Sequence, residues 1–254
     1  TIIAQLVTLI IILIKVLKNS RVKEITKEHL LPKFLFFKNI FFQSMPITVS
    51  ICGYSIAAAI IFTYVGQSGE YATAGYGAGT RIEQVVLLPI LGINTAIISI
   101  ISQNYGAKNF NRIKETYFIA LKYAFIIMVT SGIIVFTSAN IITSFFSSDP
   151  EVIEYGKRYL KISAFVLPAY PIFFLTNGFF MAIKKSEIAM ISNFFRNVMN
   201  PILVFYIAKY ISASFNTFFW IWVVINWFFS MLYLMIVFYY LKSRLEKSSA
   251  VVHP

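Results

Sequence analysis

Three ionisable side chains stand where a membrane protein should not keep them. Arg81 and Glu83 lie two positions apart in "GAGTRIEQVVLLPILG" (77–92), and Arg196 interrupts an otherwise charge-free run over 188–208. A charge inside a spanning helix costs several kcal/mol on insertion scales, so it normally faces a protein interior or a wet cavity and is by default a functional candidate. With a helix running from about Thr80 to Ile101, Glu83 is expected roughly one turn inside the outer boundary, with Arg81 nearer still. Arg81 can snorkel outward and act as an interfacial anchor, and Arg196 can tie helices together through backbone carbonyls. Glu83 has a shorter side chain and two open readings. Either it is a partner that holds Arg81 or Arg196, or it is a protonatable or cation-binding carboxylate facing a cavity.

Uncharged polar groups and prolines surround these charges. Asn94, Tyr170, Asn177, Asn197 and Asn200 fall at membrane depth on different stretches, which implies a shared wet interior. Pro89, Pro168, Pro171 and Pro201 each remove an intrahelical hydrogen bond, freeing a carbonyl for a static kink, a bend or a cavity wall. The rings of Tyr54, Tyr76, Tyr170, Phe173 and Phe174 are candidate faces for a cationic ligand, although 26 Phe and 15 Tyr leave most rings for packing and lipid. The lone Cys52 excludes an internal disulfide framework and a Cys-based metal site.

The elements that must hold these residues are legible from composition. Of the 254 residues 58% are hydrophobic and 13% charged, with mean hydropathy +0.75, whereas a soluble domain has roughly a quarter of its residues charged. The fold class is therefore an all-α membrane protein, a polytopic helical bundle, because barrel strands would alternate polar and apolar residues and these runs do not. Charge-free runs of spanning length cover 39–69, 84–107, 123–148, 162–183 and 210–241, and 188–208 carries Arg196 alone. They predict six complete transmembrane helices. Thr1–Ile14 is shorter than a span and reads as the end of a preceding, truncated helix, giving segments 1–17, a basic linker 18–38, a six-helix lobe 39–241 and a tail 242–254.

Lysine and arginine fix the expected orientation. Lys15, Lys18, Arg21, Lys23, Lys27, Lys33 and Lys38 fill one connection. Alternate ones hold Lys108, Arg112, Lys114 and Lys122, then Lys184 and Lys185, then Lys242, Arg244 and Lys247. These face the cytoplasm, with the C-terminus, in a multi-pass protein of the plasma membrane. The net charge of +12 is this topological signal and not a nucleic-acid-binding face. The linker's basic residues alternate with Leu30, Leu31, Phe34, Leu35, Phe36 and Phe37, which suits a short helix lying in the headgroup layer against membrane lipid. In the outer connection "FFSSDPEVIEYGKRYL", Ser148 with Glu151 fits a capping box and Pro150 a first helical turn. In "SQNYGAKN", Gly106 is expected to end a helix in the left-handed conformation, with Asn104 and Asn109 supplying turn hydrogen bonds.

The stretch "AGYGAGTRIEQVVLLPILGINTAIISIISQNYGAKNFNRIKE" resembles the multidrug and toxic compound extrusion (MATE) family in the first half of its C-terminal lobe. The Arg-Ile-Glu run, the Pro- and Gly-containing helix and the "QNYGAKN" turn carry the likeness; "FFSSDPEVIEYGKRYLKI" and "NGFFMAIKK" are similar to segments before and within the family's tenth helix. The resemblance implies a twelve-helix transporter of two lobes, exporting small amphipathic, often cationic compounds in exchange for a proton or sodium ion, with no other cofactor. This chain then corresponds to the second lobe, and the missing N-terminal lobe of the same protein is a required partner. Family members often place coupling carboxylates in helix seven or ten. Residues 39–69 and 162–183 contain none, so Glu83 is the one carboxylate left at membrane depth.

Two other readings stand beside this one. A lipid-linked saccharide flippase of the same superfamily would use Arg81 and Arg196 against a pyrophosphate headgroup, and a non-transporting membrane scaffold would need none of these residues. An enzyme is disfavoured, since no pair of His, Ser-His-Asp set or carboxylate cluster lies at membrane depth. Because a two-lobed transporter forms its passage between lobes, residues 1–254 reconstituted alone are expected to show no uptake or efflux; transport by that fragment would overturn the two-lobe expectation.

Overall fold

A computed structural model describes residues 2–17 and 34–252, which are helical throughout apart from short turns, with no strand among them. Of the headgroup-layer helix expected within 18–38, residues 18–33 lie outside the described residues and Phe34–Lys38 form the start of α2. The elements are α1 (Ile2–Leu17), α2 (Phe34–Gly66), α3 (Glu70–Gly106), α4 (Phe110–Ser144), α5 (Pro150–Ser163), a 3₁₀ turn (Leu167–Ala169), α6 (Tyr170–Ala182), α7 (Ser186–Phe194), a π turn (Phe195–Met199), α8 (Asn200–Tyr210) and α9 (Phe215–Val252). The chain forms two compact units, Thr1–Met45 and Pro46–Pro254, whose boundary lies within α2. The second unit carries every candidate site residue.

Four described helical segments are long and apolar enough to cross a membrane: Glu70–Gly106, Phe110–Ser144, Ser186–Tyr210 and Phe215–Ser243. Pro150–Ser163 with Leu167–Ala182 makes a fifth, bent by 40° at its break. The protein is thus a multi-pass membrane protein. The span expected over 84–107 starts much earlier, at Glu70, because a charge marks where side chains want water and not where the backbone stops bonding. The acidic Glu70, expected in a loop, instead opens α3, where it suits the positive end of the helix dipole.

The outer connection holds the expected helix start, but the helix it opens, α5, is part of the bundle: its face of Val152, Gly156, Tyr159 and Leu160 is buried at helical spacing against α3 and α4. The cap is Asp149 and not Ser148: the Asp149 carboxylate accepts from the amides of Glu151 and Val152, with Pro150 in the first turn as expected. The turn after α3 also closes differently. Gly106 stays helical and Lys108 takes the left-handed conformation (φ 58°), while Asn109 N–H bonds Asn104 C=O and Lys108 N–H bonds Tyr105 C=O. That is a Schellman closure. The same pattern recurs at Lys184 (φ 59°) and Ser212 (φ 50°). Asn104 and Asn109 do bond locally, Asn104 to Ile100 C=O and Asn109 as the cap of α4.

Glycines set the approach of α5 to α3. A methyl group on Gly75 would stand 2.7 Å from the backbone of Gly156 and Val152, and one on Gly79 2.3 Å from the Tyr159 ring. Gly75 and Gly79, four apart, form the small-residue stripe that lets helices touch in lipid. Two apolar clusters pack the bundle's two ends, one around Tyr64, Tyr76, Tyr159 and Phe218, the other around Tyr117, Phe179, Phe180 and Tyr233.

Gly79→Val is expected to lower the melting temperature of the purified protein, at a cost of about 1–3 kcal/mol from overpacking on Tyr159. Gly77→Ala is the control: a methyl group added there would meet nothing within 4 Å, and the change is expected to be neutral or mildly stabilising by about 0.5–1 kcal/mol. Equal melting temperatures for the two variants would show that the glycine stripe does not set the packing of α5 on α3.

Candidate functional site

Glu83 is the fourteenth residue of α3, about 20 Å along it at 1.5 Å per residue. α3 thus begins at Glu70 and not near the expected Thr80. Within the bundle the Glu83 carboxylate is costly unless other groups satisfy it. Two phenols do so: Tyr159 O–H donates to one carboxylate oxygen and Tyr170 O–H to the other, the latter at 2.5 Å. The donors come from the two halves of the broken span, Tyr159 from α5 and Tyr170 from the start of α6.

No side chain of Arg81 or Arg196 forms an ion pair with Glu83 among the described residues. Arg81 is exposed, as positions i and i+2 of a helix point to different sides. Arg196 stays in the interior. Its guanidinium carbon lies 4.2 Å from the centre of the Phe173 ring, 4.9 Å from Tyr170 and 5.4 Å from Phe174, within cation–π range of all three.

Glu83, Tyr159, Tyr170 and Arg196 border one cavity of about 140 Å³, whose wall also includes Asn197 and the rings of Tyr54, Tyr76 and Phe174. Pockets for drug-sized ligands run to roughly 300–1,000 Å³, so this volume suits waters or a small ion in the lobe as it stands. Within the wall, Tyr76, Thr80, Glu83 and Leu87 lie on one face of α3 at helical spacing.

The other candidates divide. Asn177 is on a separate network, donating to Asn193 and accepting from Tyr233 O–H at 3.0 Å. Asn200 is fully buried and its amide atoms have no hydrogen-bond partner among the described residues; Asn94 Oδ1 is likewise unpartnered there. Phe173 borders a different cavity, which also touches Arg196. Pro168 lies in the 3₁₀ turn and Pro171 in the first turn of α6, so both mark the bend. Pro201 begins α8 directly after the π turn that carries Arg196 and Asn197; such turns interrupt the regular bonding of a helix and are common at functional sites. Pro89 is different: α3 runs through it unbroken.

Tyr159 is the residue that sequence reasoning misses. Its signal is present in the buried face of α5, where 152, 156, 159, 160 and 163 follow helical period, but the surrounding charges leave the segment outside the charge-free runs.

Residues 46–206 match the MatE family model. The FAD transporter of Shewanella oneidensis is 30% identical over 107 residues, which is 42% of this chain and 24% of that protein. The multidrug export protein MepA of Staphylococcus aureus (strain MSSA476) is 24% identical over 191 residues, 75% of this chain and 42% of the relative. A crystal structure of MATE in complex with MaL6 superposes with a TM-score of 0.78 at 20% identity, over 87% of this chain and 50% of that one; at that identity the likeness is one of fold. The chain therefore spans half or less of the length of these relatives. A family match over more than half of its residues, on a bundle of that same fold, makes this chain a member of the MatE family of membrane transporters.

Proposed function

We propose that this chain is the C-terminal lobe of an exporter that moves small amphipathic, cationic drugs or toxic compounds out of the cell by alternating access, in exchange for a proton or a sodium ion. The protein sits in the plasma membrane with its C-terminus in the cytoplasm, and the lobe works against an N-terminal lobe of the same protein. One observation carries the reading: a carboxylate deep in a spanning helix, held by a phenol from each half of a broken helix, on a cavity the size of a small ion or a few waters. The drug-exporting relative MepA adds the class of substrate.

Glu83 takes the coupling role. Ionised, it accepts both phenolic hydrogens. A proton arriving on one oxygen turns that oxygen into a donor, so the phenol facing it must rotate away or accept. A sodium ion would be met by the carboxylate oxygens and, after rotation, by phenolic oxygens, a hard oxygen set. Either event changes the link between α5 and α6 through Glu83, beside the break at Pro168 and Pro171. Arg196 supplies a fixed positive charge on the same cavity. The flippase alternative uses two arginines on one pathway, and here Arg81 is exposed while Arg196 is the arginine that borders the cavity, an arrangement that favours the exporter.

In the full-length protein, Glu83→Gln is expected to reduce ethidium efflux driven by an imposed proton or sodium gradient by at least roughly tenfold, as loss of an essential proton-transfer group does, at equal expression. Efflux unchanged under both gradients would sink the coupling role. The hydrogen-bond geometry generates a separate outcome. Tyr159→Phe removes a donor to a buried charged acceptor, worth on the order of 1.5–3 kcal/mol, and should lower the melting temperature. Combined with Glu83→Gln, it should cost less than the sum of the two single changes; strict additivity would show that the two groups do not interact.

A further inference from the structure

A second cavity, of about 250 Å³, opens between α7 and α9 over a floor made by α6. Phe173 lies beneath it, Ile188, Ile191 and Phe195 form one wall, and Leu232 and Ile236 the other. Ile191, Phe195, Leu232 and Ile236 are exposed on the surface of this unit, so the cavity is a groove open to the outside of the bundle. Its surface is almost wholly apolar. A ligand that must be oriented needs a few convergent polar groups, and this groove presents almost none, so its shape and chemistry fit a hydrocarbon chain. Left empty, its walls would lose packing contacts on one side.

The mouth has the opposite character. The groove runs along α7 and α9 toward the end of the bundle where the turn after α6 and the end of α9 meet, with Lys185 Nζ 4.7 Å from the Tyr240 ring centre. The Schellman closure at Lys184 presents Lys184 beside Lys185. Glu187, in the first turn of α7, is the carboxylate beside them among the described residues, so two ammonium groups stand against one carboxylate. Lysines at the rim of a spanning bundle attract anionic headgroups. Chain-shaped apolar groove and basic rim lie in the order of a phospholipid's own parts.

We propose that this groove binds a single anionic phospholipid, one acyl chain lying between α7 and α9 and the phosphate headgroup on Lys184 and Lys185. The chain packs against Phe195, the first residue of the π turn that also carries Arg196. The lipid therefore braces the turn that holds the guanidinium on the Glu83 cavity. The site is separate from the transport reading and stands or falls without it.

Native mass spectrometry of the purified full-length protein, equilibrated with equimolar phosphatidylglycerol and phosphatidylcholine of identical chains, tests the site. The wild type is expected to retain one phosphatidylglycerol in preference to phosphatidylcholine by roughly tenfold or more, given about 1 kcal/mol per lysine at a membrane surface. Lys184→Gln with Lys185→Gln, at exposed or half-exposed positions outside the apolar core, should bring the two lipids near parity. Ile191→Trp, which fills the groove from an exposed position, should abolish retention of either. Equal retention of both lipids by the wild type, retention of phosphatidylglycerol unchanged in both variants, or a lipid-free dimer that closes the groove would each overturn the proposal. Should the tryptophan variant not fold, the lysine pair and the wild-type lipid competition decide alone.

Discussion

The lobe is organised around a carboxylate that hydrocarbon will not solvate. Removing Glu83 from water leaves two oxygens that need donors, and in a bilayer those donors must come from protein. Tyr159 and Tyr170 meet that requirement from two helices that are continuous in sequence but broken in space. For both phenols to converge, α5 must lie close along α3, and that distance is set by Gly75 and Gly156, where the two backbones meet, and by Gly79, which leaves room for the Tyr159 ring. The polar centre and the glycine stripe are thus one construction: Gly75, Gly79 and Glu83 recur every four residues on α3.

Arg196 completes the electrostatics by a different route. It does not pair with Glu83 at close range among the described residues; it lies on the faces of Phe173, Tyr170 and Phe174. Tyr170 is shared, since its hydroxyl serves the carboxylate while its ring faces the guanidinium. A cation on one side of that ring and an anion at its oxygen polarise the same side chain. Opposite charges thereby border one cavity without a direct salt bridge between them.

Much of this is legible in the residues and some is not, for physical reasons. The membrane class and the helical fold follow from composition and charge-free runs. Pro168, Pro171 and Pro201 mark real breaks because each coincides with a second departure from helix, a 3₁₀ turn or a π turn. Pro89 coincides with none and α3 absorbs it. The start of α3 escapes a reading that locates helix ends by charge, because α3 extends well past its charges on small residues that pack against protein. Tyr159 is hidden by the same rule. Asn177, Asn197 and Asn200 share polarity and membrane depth, yet depth along a helix does not fix azimuth, and the three take part in separate surroundings.

The glycine stripe also bears on how the protein is made. α5 has 14 residues, about 21 Å of helix, and Glu151, Glu154, Lys157, Arg158 and Lys161 ride on it, so it is too short and too charged to partition into a bilayer by itself. Most of the surface it packs on belongs to α3 and α4, both synthesised before it, and α9 adds the rest later. α5 therefore depends for its place on helices made both before and after it, and a change at Gly75 or Gly79 bears on a segment that cannot hold a place in the bilayer alone.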